Sequence, residues 1–175
     1  MIRNLFAVIS FMAFATSGIA QDSCACCTRD HRAFDFWVGQ WEVVDSLNTR
    51  LGKNTVSIQQ NGCVIQELWT SSRGGFSGTS YSYFDRQDST WNQVWVDNQG
   101  GVLNLKGGKK ADGSIAMKSA LADGGSGLVA NAVKWERLPS GNVLQTWSVV
   151  DEHGQELKIV FRGIYQKVNE KKIGE

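Results

Sequence analysis

From Trp37 onward the chain alternates apolar and polar residues with a period of two, in short runs broken by Gly, Asn and Asp. That pattern marks β-strands with one face covered. It predicts strands at Gly39–Ser46, Asn54–Gln60, Cys63–Ser71, Gly78–Asp85, Trp91–Asp97 and Val102–Lys106. Four more follow at Ser114–Ala120, Leu128–Leu138, Val143–Asp151 and Glu156–Lys167. Between them lie turn signals such as Asn61-Gly62, Asp112-Gly113, Ser140-Gly141 and His153-Gly154, whose residues accept positive φ. No stretch carries a helical period, and a helical turn is expected only at Arg32–Phe36. The fold class that follows is all-β: a single antiparallel up-and-down β-barrel of about ten strands, with a short helical turn before the first. Closure removes the sheet edges; a two-sheet sandwich is the alternative.

The same period sorts side chains by face. Cys63, Ile65, Glu67 and Trp69 share one face, as do Trp91, Gln93, Trp95 and Asp97. Thr79, Tyr81 and Tyr83 form the bulky face of their strand, and later strands offer Val133 with Trp135, Gln145 with Trp147, and Leu157, Ile159, Phe161 and Tyr165. These faces interleave aromatics with single polar groups. A core with no other duty would avoid Glu67, Gln93, Asp97 and Gln145, because each buried polar group needs a partner. The faces therefore predict an interior pocket lined by Glu67, Trp69, Tyr81, Tyr83, Gln93, Trp95, Asp97, Trp135, Gln145 and Trp147. A barrel of this size either fills with side chains or holds one small ligand, and a void of roughly 300 Å3 or more separates the two cases.

Composition narrows the partners. With 18 Lys+Arg against 17 Asp+Glu the formal charge is +1, so there is no basic field for a nucleic-acid backbone. Nineteen Gly beside a single Pro fit tight turns rather than a Pro-rich linker, and no boundary divides the 175 residues.

The N-terminus reads as a secretory signal at residues 1–20: Arg3, an apolar run from Leu5 to Ala15, then Gly18-Ile19-Ala20 as a cleavage site. Its apolar run is short for a membrane span of roughly 20 residues. An uncleaved anchor helix is the alternative. No other segment is apolar enough to span, so the mature chain is expected to be exported, periplasmic or secreted, with no integral membrane segment. Residues 21–31 then form a Cys-rich arm, 32–168 the barrel and 169–175 a tail. In an oxidising compartment Cys24, Cys26, Cys27 and Cys63 are expected to form disulfides, with Cys27–Cys63 pinning the arm to the barrel. The rival is a metal or redox site of Cys24, Cys26, Cys27 and His31, whose spacing does not match structural zinc sites.

The run Phe34-Asp35-Phe36-Trp37-Val38-Gly39-Gln40-Trp41-Glu42-Val43 resembles the opening of a bacterial family of exported, uncharacterised proteins with a lipocalin-like (calycin) barrel. Gly62–Trp69, Gly75–Ser80, Trp91–Asp97 and Phe161–Tyr165 extend the resemblance over Arg32 to Lys167. It implies a barrel and no established activity. It also implies that Glu67 and Trp69, which match an acid and a Trp usual in that strand, line the pocket. On physical grounds Gly39 lets a turn lead sharply into a strand, Trp41 plugs the narrow end, and Phe34, Phe36 and Trp37 close it from below.

Familiar chemistry is missing. Gly75-Phe76-Ser77-Gly78 and Gly124-Gly125-Ser126-Gly127 lack the spacing and context of a nucleophile elbow. Gly107-Gly108-Lys109-Lys110 lacks the Ser or Thr of a phosphate loop. Neither His31 nor His153 falls on an inward strand position, so no metal, haem or other cofactor is expected. The expected function is binding of a small amphipathic or aromatic molecule. Acid–base chemistry by Glu67 or Asp97 is one alternative; a filled barrel with a structural or envelope-interaction role is the other.

Overall fold

The computed structural model of the protein describes residues 24–168. The expected signal peptide and C-terminal tail lie outside the described residues. Eleven strands form one antiparallel sheet: β1 Gly39–Val44, β2 Arg50–Gln59, β3 Val64–Ser71, β4 Ser77–Asp85, β5 Thr90–Asp97 and β6 Val102–Lys109. They continue as β7 Ile115–Lys118, β8 Ala122–Asp123, β9 Leu128–Arg137, β10 Val143–Asp151 and β11 Glu156–Lys167. Each of the ten main strands pairs with its neighbour, β7 pairs with β9, and β1 pairs with β11, so the barrel closes. The two-residue β8 adds to β9 at one rim. The up-and-down barrel is therefore the observed fold, and the sandwich is not.

One end of the barrel is stoppered. A 3-10 turn at Asp35–Trp37 drives Phe34 and Trp37 into the interior, where both are fully buried. Phe34 stacks on Trp37 with ring centres 5.0 Å apart and meets the edges of Trp91 and Trp135 at 5.5 and 5.1 Å. Trp41 caps the group, donating from Nε1 to the Trp37 carbonyl at 2.9 Å. Gly39, at φ 153°, makes the bend from this turn into β1, a conformation side chains rarely adopt. Outside the plug, Arg32 grips Asp35 through Nε and Nη2 at 2.6 and 2.7 Å and reaches the Gly62 carbonyl through Nη1.

The disulfides correct the expected pairing: the bridges are Cys24–Cys27 and Cys26–Cys63, not Cys27–Cys63. The arm turns on itself, with Cys27 N donating to the Cys24 carbonyl, so Cys24 and Cys27 meet across that turn while Cys26 points inward. No thiolate remains for the rival metal or redox site, since all four cysteines are bridged. The two bonds differ in exposure: Cys24 and Cys27 are exposed, Cys26 is buried. Mild reductant is expected to open Cys24–Cys27 first, and alkylation mapping by mass spectrometry checks the order. Loss of Cys26–Cys63, which spans 37 residues, is expected to cost up to about 4 kcal/mol in chemical denaturation.

Candidate functional site

Opposite the plug the barrel is open, and a cavity of about 230 Å3 descends from that mouth. Its floor is polar. Glu67 on β3, Gln93 on β5, Gln145 on β10 and Tyr165 on β11 converge there, beside Val133 of β9. Its walls are aromatic: Trp69 on β3, Trp95 on β5, Trp147 on β10, Phe161 on β11 and Phe76 just before β4. Leu103, Val160 and Asp97 complete the lining. The volume falls below the roughly 300 Å3 typical of ligand sites because Phe34, Trp37 and Trp135 fill the lower half. It holds a guest of about ten non-hydrogen atoms.

Of the residues expected in the pocket, Glu67, Trp69, Gln93, Trp95, Asp97, Gln145 and Trp147 line this cavity. Three do not. Tyr81 and Tyr83 are each 45% exposed on the outer wall, and the inward positions of β4 are Ser80 and Ser82, both fully buried. The reason is steric. Ser80 and Ser82 leave room for longer side chains from the strands on either side and bind them: Ser80 Oγ donates to Glu67 Oε2 at 2.7 Å, and Gln93 Nε2 donates to Ser82 Oγ at 2.9 Å. Trp135 points inward but sits beneath the floor, packed on Phe34 and Trp37.

Phe76, Leu103, Val133, Val160, Phe161 and Tyr165 complete the lining without having been singled out as site residues. Strict alternation places Leu157 and Ile159 on the face of Phe161, yet both are exposed. The β10–β11 register shifts between Trp147 and Ser148, so that Trp147 faces Phe161 while Ser148 faces Ile159. Val160 is the extra residue of that bulge, which turns it and Phe161 both onto the cavity. Period-two alternation places Phe161 and Tyr165 on one face of the last strand, whereas no pattern in the sequence signals Val160.

Glu67 is the distinctive group. It is 4% exposed, accepts from Asn54 Nδ2 at 3.0 Å and from Ser80 Oγ at 2.7 Å, and forms no ion pair with any described residue. Burial pushes its pKa up from 4.5 to about 7, against the smaller opposing pull of Ser80 and Asn54. Tyr165 is raised well above 10, mostly by burial and further by the Glu67 charge; its hydroxyl donates to Gln145 Oε1. Asp97 differs. Its carboxylate accepts from the backbone N–H groups of Gln99 and Gly101, which hold its pKa below the usual range. It caps the β5–β6 turn and is no acid–base partner for Glu67. The strand register sets the two Cα positions two strands and two residues apart, roughly 12 Å.

Glycines inside the strands make space for the aromatic wall. A Cβ on Gly78 would overlap the Trp95 indole, and one on Gly52 would lie 2.7 Å from the Trp69 ring. Gly78→Ala is expected to displace Trp95, shrink the cavity and cost about 1–3 kcal/mol, read as a lowered denaturation midpoint with altered tryptophan emission.

His31 lies in the arm with Nδ1 2.6 Å from Thr28 Oγ1 and its ring edge on Phe84. His153 is exposed at the β10–β11 turn. No protein-family model matches the chain, and no curated protein matches it.

Proposed function

We propose that this protein binds a small amphipathic or aromatic molecule in the open half of its barrel. The observation that carries this reading is a cavity with aromatic walls and a polar floor, reachable from solvent and set over a solid plug. A barrel that served only as a scaffold would gain stability by filling the upper half as it does the lower. Four bridged cysteines support an oxidising compartment, and so the exported location that the N-terminal sequence suggests. The resemblance to exported lipocalin-like proteins agrees with the barrel and with export. Native mass spectrometry of protein from its own host, followed by a thermal-shift screen of small amphiphiles, tests it. Retention of a guest or a ligand-dependent rise in melting temperature is expected; neither across a broad panel would refute the reading.

Acid–base catalysis is favoured by one observation, the Glu67 carboxyl near pKa 7 on the cavity floor. Glu67→Gln would then abolish turnover of any substrate found by screening, and unchanged turnover would remove this second reading.

A further inference from the structure

The chemistry of the cavity narrows the class of guest, a step that rests on the binding role just proposed. Two lining side chains, Glu67 and Asp97, are acidic, and none is Lys, Arg or His. The charged groups of the lining are therefore all acceptors. Each Glu67 oxygen takes a single hydrogen bond from Asn54 or Ser80 and keeps acceptor capacity in reserve. Tyr165 O–H bonds Gln145, Gln93 Nε2 bonds Ser82 and Trp147 Nε1 bonds Asn131, so the donors left to a guest, the Gln145 amide among them, are neutral. Asn54 Oδ1, on the amide that serves Glu67, is buried with no donor of its own. The site thus holds a buried carboxyl without a countercharge, under a ring of indole and phenyl groups whose π faces attract cations.

We infer that the guest is an organic ammonium, a small amine whose N–H groups bond Glu67 while its apolar body packs against Trp69, Trp95 and Trp147. Such a head group gives the Glu67 oxygens hydrogen-bond donors and brings the positive charge that the lining lacks. A neutral alcohol supplies only the donor. A carboxylate guest would bring more negative charge to a floor with no cation to receive it. The raised pKa of Glu67 has the same origin, a carboxylate desolvated with no partner of opposite sign.

The test varies the head group and keeps the body. Phenylethyl, indolylethyl and octyl compounds, each as the amine, the alcohol and the carboxylic acid, are titrated at pH 8 into the disulfide-bonded protein. Binding is read by calorimetry and tryptophan emission. The amines are expected to bind roughly tenfold or more tighter than the matching alcohols, with the acids weakest. In Glu67→Gln the amine is expected to fall to within about threefold of the alcohol. If that variant does not fold, the ranking of head groups on the unaltered protein decides alone. Alcohols or acids that bind as well as amines overturn the ammonium inference and leave the binding role intact. No binding by any of the nine compounds overturns both.

Discussion

Trp135→Ala is expected to lower the unfolding free energy by about 3–5 kcal/mol, a large share of the roughly 5–15 kcal/mol typical of a domain. Trp135 is fully buried, with its ring centre 5.1 Å from Phe34 and 5.5 Å from Trp37. Removing the indole takes the centre out of an aromatic cluster whose remaining members belong to different strands and to the 3-10 turn. They have no shared way to collapse into the gap, which keeps the cost at the upper end for such changes. Trp135→Phe makes the informative control. The indole Nε1 of Trp135 is buried without an acceptor, so the phenyl variant loses ring volume but also sheds an unsatisfied donor. It is expected to cost less than half as much. Urea or guanidinium unfolding of both variants reads the difference, and equal costs would show that the plug is not sensitive to volume.

The plug and the pocket were not equally legible in the sequence. Strand limits and antiparallel order follow from period-two alternation and turn residues, and the ten main strands appear close to their expected limits. Alternation failed where geometry breaks the period. The bulge at Val160 puts two adjacent residues on the cavity, and no hydrophobic pattern announces it. It also failed on β4, where size misleads. Tyr81 and Tyr83 look like interior residues, yet the interior there already belongs to Glu67, Gln93 and Trp95 from the flanking strands, so only Gly78, Ser80 and Ser82 fit. The start of β2 at Arg50 was missed for a related reason. Gly52 weakens the strand signal, and what a side chain there would meet, the Thr70 carbonyl and then the Trp69 ring, lies on the next strand. The disulfide exchange between Cys26 and Cys27 is a single-residue choice that only the path of the arm decides.

The largest pH effect is expected from Glu67. Its folded pKa, about 7, lies above its ordinary value of 4.5, so the folded protein holds this proton where the unfolded chain has lost it. The sign follows from linkage: Glu67 leaves stability undiminished below pH 4.5, lowers it progressively as pH rises toward 7, and levels off above. The full span is about 3 kcal/mol. Tyr165 is raised well above 10 and keeps its proton throughout, so the Tyr165–Gln145 bond does not confuse the profile. Asp45, Asp88, Asp97 and Asp112 are lowered by their own hydrogen bonds and push the opposite way, with stability lost as pH falls. Glu67 is therefore isolated by the difference between unaltered protein and Glu67→Gln. In the variant the amide keeps a neutral, hydrogen-bonded group at the site: its oxygen can accept from Asn54 Nδ2 and its N–H can donate to Ser80 Oγ. The difference is expected to be near zero below pH 4.5 and to grow to about 3 kcal/mol in favour of the amide at pH 8. A difference that stays flat from pH 4 to 8 would mean that Glu67 titrates as an ordinary surface acid. A bound ammonium reverses the balance by giving the charged carboxylate its missing partner. Saturating amine is thus expected to erase most of the high-pH loss in the unaltered protein, and to stabilise Glu67→Gln by a smaller amount that does not change between pH 4 and 8.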